Sequence, residues 1–415
     1  MSGVRHYVVV TAAYWAFTLT DGALRMLVLL HFHGLGYTPV ELAFLFLFYE
    51  LFGVVTNLLG GWIAARMGVR VTLLAGLGLQ IAALGMLSAL DPAWARGASV
   101  AFVMAAQALS GVAKDLTKMS AKSAIKTLLP ADAHGPLFRW VALLTGSKNA
   151  LKGAGFFLGS ALLAGLGFRP ALWAMAAGLA ATLAVAVTQL PAALGRAKGK
   201  AAFRGVFSMH RDINVLSAAR FFLFGARDIW FVVAVPVFLS VELGWGFTAV
   251  GAALALWVIG YGVIQSITPG LLAPLTGGVA PGARVAVALA GGLALALALV
   301  PLGLHAGAAR AAVVLGGLGA FGVVFAINSS VHSYLILAYS DGDKVALNVG
   351  FYYMANAGGR LVGTLLSGLV FQAAGLVGCL WTAVGFAAAA GAVSLALADP
   401  PHRIALADAR AEGAE

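Results

Sequence analysis

The 415-residue sequence predicts an all-α membrane protein of about twelve transmembrane helices, arranged as two pseudo-symmetric six-helix halves. Three observations lead there. Of the residues, 61% are hydrophobic and only 10% charged, with a mean hydropathy of +0.96, whereas soluble domains carry about 25% charge. Apolar stretches of about 20 residues recur along the chain, each able to cross a ~30 Å hydrocarbon core at 1.5 Å per residue. A basic segment divides the chain near its midpoint. A soluble fold of this length could not hide so much apolar surface, so a soluble enzyme, a disordered scaffold and a fibrous repeat are excluded.

The first span, 8–31, follows Arg5 and His6 and begins like a signal peptide. Its apolar run continues to His31 without a small-residue cleavage site, so it reads as an uncleaved helix. Spans 40–63, 70–90, 98–121, 136–165 and 170–190 complete a first half, residues 1–190. Residues 191–212 form a basic linker holding Arg196, Lys198, Lys200, Arg204 and Arg211 against Asp212. Spans 213–240, 247–272, 284–304, 309–336, 345–373 and 376–397 make the second half, residues 213–400, with a tail at 401–415. With the N-terminus cytoplasmic, Arg5, Arg66, Arg70, Arg139, the linker, Arg284, Lys344, Arg403 and Arg410 fall inside, and only Arg96, Arg169 and Arg310 outside. That asymmetry places both termini in the cytoplasm of a bacterial plasma membrane. The single cysteine, Cys379, precludes an intrachain disulfide,. His31 and His33 read as interfacial residues rather than ligands, and no cofactor, metal or nucleic acid is expected.

Charges inside the spans are expensive in lipid and therefore informative. Span one carries Asp21 and Arg25, span two Glu50, span four Lys114, Asp115 and Lys118, and span five Lys148 and Lys152. Span seven carries Arg220, Arg227 and Asp228, span ten Asn328 and His332, and span eleven Asn356 and Arg360. Spans three, six, nine and twelve carry none, so every third helix is expected to face lipid while the others line a wet interior.

This three-helix rhythm resembles the major facilitator superfamily, and so does Gly61-Trp-Ile-Ala-Ala-Arg-Met-Gly-Val-Arg70. Gly61, Arg66, Gly68 and Arg70 match the family's loop signature, while Ala65 stands where the family carries Asp. Gln107 precedes Gly111 where many proton-coupled members have Arg, and Gly153, Gly155 and Gly159 lack the proline of the antiporter signature.

The interior holds eight basic residues (Arg25, Lys114, Lys118, Lys148, Lys152, Arg220, Arg227, Arg360) against four acidic ones (Asp21, Glu50, Asp115, Asp228). An anionic substrate would supply the missing partners, bound by lysine point charges and arginine forks suited to phosphate or arsenate. Lys114, Lys118, Lys122 and Lys126 recur every four residues among Thr117, Ser120 and Ser123, although Lys122 and Lys126 also fit a positive-inside anchor,. Lys114, Lys118, Lys148, Lys152, Arg220, Arg227, Asn356 and Arg360 are the candidate substrate contacts, with Tyr352 and Tyr353 nearby. Asp21, Glu50 and Asp228 are candidate proton carriers. Arg25, Arg66, Arg70 and Asp115 are assigned to gating or ion pairs. Two readings stay open for Asp21 and Arg25, mutual neutralisation or separate roles, and Asp228 is either a proton carrier or locked to Arg220 or Arg227. His332 reads as a polar helix–helix contact.

The stretches Tyr14 to Arg25, His31-Phe-His33 and Ala113 to Lys126 resemble the organoarsenical efflux permeases of arsenic-resistance operons, with the likeness running from about residue 6 to 398. The resemblance implies proton-coupled export of 1-arseno-3-phosphoglycerate, made by a companion glyceraldehyde-3-phosphate dehydrogenase, and hence arsenate resistance. Export of another organic phosphate or of drugs is the alternative within transporters, and the positive interior argues against drugs. A membrane-embedded enzyme on lipid phosphates would need an acid cluster or a nucleophile with its base. Asp341 and Asp343 come nearest and read as a solvated turn.

Overall fold

Without water to satisfy them, backbone N–H and C=O groups in lipid must pair within their own segment, and the helix is the local solution. The computed structural model describes residues 2–126, 134–192, 194, 210–276, 281–339 and 345–399, and these form helices and short connections with no strand among them. Arg66, Lys122, Ser123, Lys126, Arg139, Asp341, Asp343, Lys344, Arg403, Arg410 and the linker's Arg196, Lys198, Lys200 and Arg204 lie outside the described residues or side chains. The helices are α1 (Ser2–Gly34), α2 (Pro39–Met67), α3 (Val69–Ser88), α4 (Arg96–Lys126), α5 (His134–Leu166) and α6 (Phe168–Gln189). After the linker come α7 (Arg211–Phe231), α8 (Ala234–Val241), α9 (Phe247–Thr276), α10 (Ala283–His305), α11 (Arg310–Ala338) and α12 (Val345–Ser394).

Ten segments among the described residues are long and apolar enough to span a membrane, as befits a multi-pass helical membrane protein. The last, Asn348–Ser394, is two legs in one, bent at Gly375, whose φ of 61° suits glycine alone,. The first span is not among the ten. Helix α1 is diluted by Thr11, Thr18, Thr20, Asp21 and Arg25, all of them buried among neighbouring helices. The single helix expected at 213–240 is broken, and α7–α8 together make one span. Pro236 lacks an N–H and its ring would clash with the carbonyl of Val232. Ser367 Oγ accepts the loosened N–H groups of Val233 (3.1 Å) and Ala234 (3.2 Å).

Local chemistry sets the other boundaries. Thr38 caps α2, its hydroxyl accepting Glu41 N–H at 3.3 Å while Glu41 Oε2 accepts Thr38 N–H at 2.7 Å, with Pro39 as the first helical residue,. Gly68 (φ 85°) and Gly167 (φ 82°) allow the abrupt turns into α3 and α6,.

Packing divides the helices into two groups that repeat one pattern. In the first, α1 packs on α5, α2 on α4, and α3 on α6 and α4. In the second, α7 packs on α12, α9 on α11, and α10 on α12 and α11. The groups meet chiefly where α2 crosses α12 and α5 crosses α9. Helices α3, α6 and α10 pack chiefly within their own group and expose apolar side chains such as Val71, Trp173 and Leu295.

Two equivalent crossings are built on glycine. A methyl group on Gly155 would overlap the carbonyl of Leu19, and one on Gly159 that of Ala23. On α12, a methyl on Gly359 would overlap the carbonyl of Phe221, and one on Gly363 would lie 2.8 Å from that of Gly225. Each crossing seats glycines four apart on carbonyls four apart, the small-xxx-small packing by which membrane helices approach closely. The shared register makes Arg25 and Arg227 counterparts, each two residues beyond the second carbonyl. It also matches Lys152 with Asn356, each three residues before the first glycine.

Leucine at Gly159 or Gly359 should therefore destabilise the protein by about 1–3 kcal/mol through overpacking, lowering the melting midpoint of the purified protein in detergent. Gly178, with nothing within 4 Å of a built Cβ, should accept leucine without that loss.

Candidate functional site

The glycine crossings bring charged side chains of four helices together. Gly359 lets α12 lie against α7 and so places Arg360 beside Asp228. Gly111 lets α4 lie against the backbone of Tyr49, next to Glu50. The result is an unbroken chain. Arg25 Nη1 lies 3.2 Å from Glu50 Oε1, and Arg360 Nη2 2.5 Å from the same oxygen. Arg360 Nε then donates to Asp228 Oδ2 at 3.1 Å, and Arg227 Nε to Asp228 Oδ1 at 2.6 Å. Three guanidiniums and two carboxylates thus link α1, α2, α12 and α7, crossing between the two groups at Glu50–Arg360. Both carboxylates are fully buried and the arginines nearly so. Moving such ions out of water costs several kcal/mol each, which only close partners offset.

Asp21 and Arg25 do not neutralise each other by contact. Asp21 accepts the Tyr49 hydroxyl at 2.8 and 2.9 Å, while Arg25 turns to Glu50 and lies over Phe46 (5.1 Å) and Tyr49 (5.7 Å). Asp228 is held by Arg227 and Arg360, not by Arg220.

Around this chain sit the lysines. Lys152 is half-buried and forms no hydrogen bond or ion pair among the described residues, its ammonium 5.7 Å from the Phe156 ring. It stands within electrostatic reach of Arg360, Arg25, Asp21 and Arg227, so positive charge outweighs negative about it. Lys148 lies one turn away on the same face of α5,. Lys114 rests over the Tyr49 ring at 4.0 Å. Lys118 is paired with Asp115 at 2.5 Å, and Asp115 also accepts the Thr56 hydroxyl at 2.9 Å. Lys118 donates to Asn57 and reaches within 5.4 Å of the Tyr353 ring on α12. Arg70 stands apart, donating to the carbonyl of Val187 at 3.0 Å and making no ion pair among the described residues.

In the second group, Arg220 donates to Asn356 Oδ1 (3.0 Å) and to the carbonyl of Ser329 (3.2 Å), and stacks 4.0 Å from the Phe224 ring. Asn149 of α5 donates to Gln265 of α9 at 2.8 Å, a second polar link between the groups. Tyr49, Thr56, Asn57, Asn149, Gln265 and Ser329 carry no charge and escaped the sequence reading. Only the nearness of Tyr49 to Glu50 in sequence pointed to one of them.

Chemically, the cluster offers forks and an ammonium to an oxyanion, together with carboxylates that already hold those forks. An entering anion would compete with Glu50 and Asp228 for the same arginines.

Replacing Glu50 by Gln strands the Arg25 guanidinium, leaves Arg360 with Asp228 alone, and should cost about 3–5 kcal/mol of stability, as for other broken buried pairs,. The double variant Glu50→Gln/Arg360→Gln should be destabilised by less than the sum of its singles. Melting midpoints of the four proteins test this, and additive losses would show that the pair is not coupled. No protein-family model matches the chain, and no curated protein matches it.

Proposed function

We propose that the chain is a secondary active transporter of the major facilitator type that exports a small organic polyanion by alternating access. The observation that carries this reading is the ionic chain Arg25–Glu50–Arg360–Asp228–Arg227, strung between the two helix groups with Lys152 beside it. An arginine–carboxylate bridge across a joint is stable while no ligand is present. A multiply charged oxyanion offers the same guanidiniums better partners and relieves the surplus around Lys152. Binding then loosens the Glu50–Arg360 link and frees the groups to rock about the site.

Proton coupling falls to Asp21 in this scheme. Protonating Glu50 or Asp228 would break the chain itself, whereas Asp21 is held among the described residues by a phenol alone and stands near Lys152. Each proton taken up there would change the field on the substrate site.

The groups are close-packed where α2 begins. A Cβ built on Gly34 lies 3.2 Å from Phe247, and Val40 N–H reaches Gln372 at 3.4 Å. The Lys and Arg distribution supports reading this as the outer side of a bacterial inner membrane, and an exporter closed on that side would load its cargo from the cytoplasm. The resemblance to organoarsenical permeases names the cargo as 1-arseno-3-phosphoglycerate, supplied by a companion glyceraldehyde-3-phosphate dehydrogenase.

Everted vesicles under an imposed pH gradient test the reading, with arsenate, glyceraldehyde-3-phosphate, nicotinamide cofactor and the dehydrogenase making the labile product in place. Wild-type vesicles should accumulate arsenic only when the whole mixture is present. Lys152→Ala and Arg227→Ala should lower accumulation at least about tenfold, the loss of roughly one charge-assisted contact, at unchanged protein level. Accumulation of free arsenate or of a hydrophobic cation instead would overturn the cargo, and unimpaired variants would overturn the site.

A further inference from the structure

Among the described residues four arginines lie within the helix packing, and three of them are ion-paired. Arg25, Arg227 and Arg360 hold Glu50 or Asp228. Arg220 makes no ion pair among the described residues, although it is buried. Its Nε and Nη1 are taken by Asn356 Oδ1 and the Ser329 carbonyl, while its Nη2 makes no hydrogen bond among the described residues. The guanidinium is fixed in place, with the Phe224 ring at 4.0 Å and the Tyr352 ring at 5.0 Å. A lone buried guanidinium with a free edge is costly unless something anionic meets it.

A second observation points the same way. His332 and Asn328 lie four residues apart on one face of α11, flanking the Ser329 whose carbonyl holds Arg220, and both are fully buried,. His332 Nδ1 and both amide atoms of Asn328 have no hydrogen-bond partner among the described residues. His332 stands within electrostatic reach of Arg220. Unpaired polar atoms at such depth are rare in a packed interior, and the oxygens of an anion meeting Arg220 would complete their bonding.

We propose that Arg220, His332 and Asn328 form a second oxyanion subsite, separate from the Arg227–Lys152 cluster. This rests on the polyanion-transporter reading and sharpens its substrate class. The Phe224 ring that carries Arg220 also lies 4.9 Å from Arg227, and the two arginines are two helical turns, about 10 Å, apart along α7. The substrate is therefore a short bis-oxyanion, one terminal group held by Arg220 and the other by Arg227 and Lys152. The Arg220 edge takes two oxygens of a tetrahedral group, and the Asn328 amide and the His332 ring meet the rest. A carrier for single-headed anions would have no use for the second site.

The test is calorimetry on the purified full-length chain in lipid nanodiscs, with propane-1,3-bisphosphonate and propylphosphonate as stable probes. The wild type should bind the bisphosphonate at least about tenfold tighter than the monophosphonate. Arg220→Gln should bring the two within about twofold. His332→Leu should narrow the gap in the same direction, which decides the matter if Arg220→Gln does not fold. Equal binding of both probes to the wild type, or a preference untouched by either substitution, overturns the subsite and leaves the transporter reading standing. Failure of a folded wild type to bind either probe overturns the polyanion reading itself.

Discussion

The joint on which the helix packing turns is the carboxylate of Glu50, fully buried and held by Arg25 from its own helix group and Arg360 from the other. An unpaired carboxylate in this setting would cost several kcal/mol, a large share of a protein's margin of stability. The pair therefore fixes how α1, α2 and α12 lie, and Arg360 extends the demand to Asp228 and α7. Each residue in the chain is affordable only because the next is there. Ionic joints also differ from apolar ones in being open to competition: an oxyanion offers a guanidinium what Glu50 offers, and a leucine cannot be displaced in that way.

Close approach of backbones makes the joint possible. Gly155 and Gly159 on α5, and Gly359 and Gly363 on α12, seat on the carbonyls of α1 and α7 in the same register. Apolar side chains drive little association between helices surrounded by lipid, so close van der Waals packing has to supply it. The shared register makes Arg25 and Arg227 counterparts, yet their acids arise differently, one across to α2 and the other from the next residue. A repeated scaffold thus carries an asymmetric arrangement of charges.

Much of the fold was legible because lipid leaves helices one length and one composition. Expected spans such as 40–63 and 247–272 sit inside α2 (Pro39–Met67) and α9 (Phe247–Thr276), differing mainly where polar end turns extend the helix beyond its apolar core. The miss at 213–240 has a local cause. Pro236 broke a span that hydropathy read as continuous, since hydropathy does not register a missing N–H. Helix α1 (Ser2–Gly34), by contrast, contains the expected span 8–31 and buries the polar residues that interrupt it. The site was legible as a list of buried charges. Its connections were not: Asp21 and Arg25 share a helix face but take different partners, and nothing in the spacing marks Tyr49 as the ligand of Asp21.

The sequence by itself determined the helices, their order and the inventory of charges inside them, because burial in lipid depends on each segment's own residues. Tertiary structure decided which charges meet. Glu50 and Arg360 are 310 residues apart, and only the crossing of α2 with α12 brings them to 2.5 Å. It also decided that Arg220, on the same helix as Arg227, meets no carboxylate among the described residues while Arg227 does. Electrostatic energy falls off with distance in space, and distance in space between helices is set by packing rather than by position along the chain.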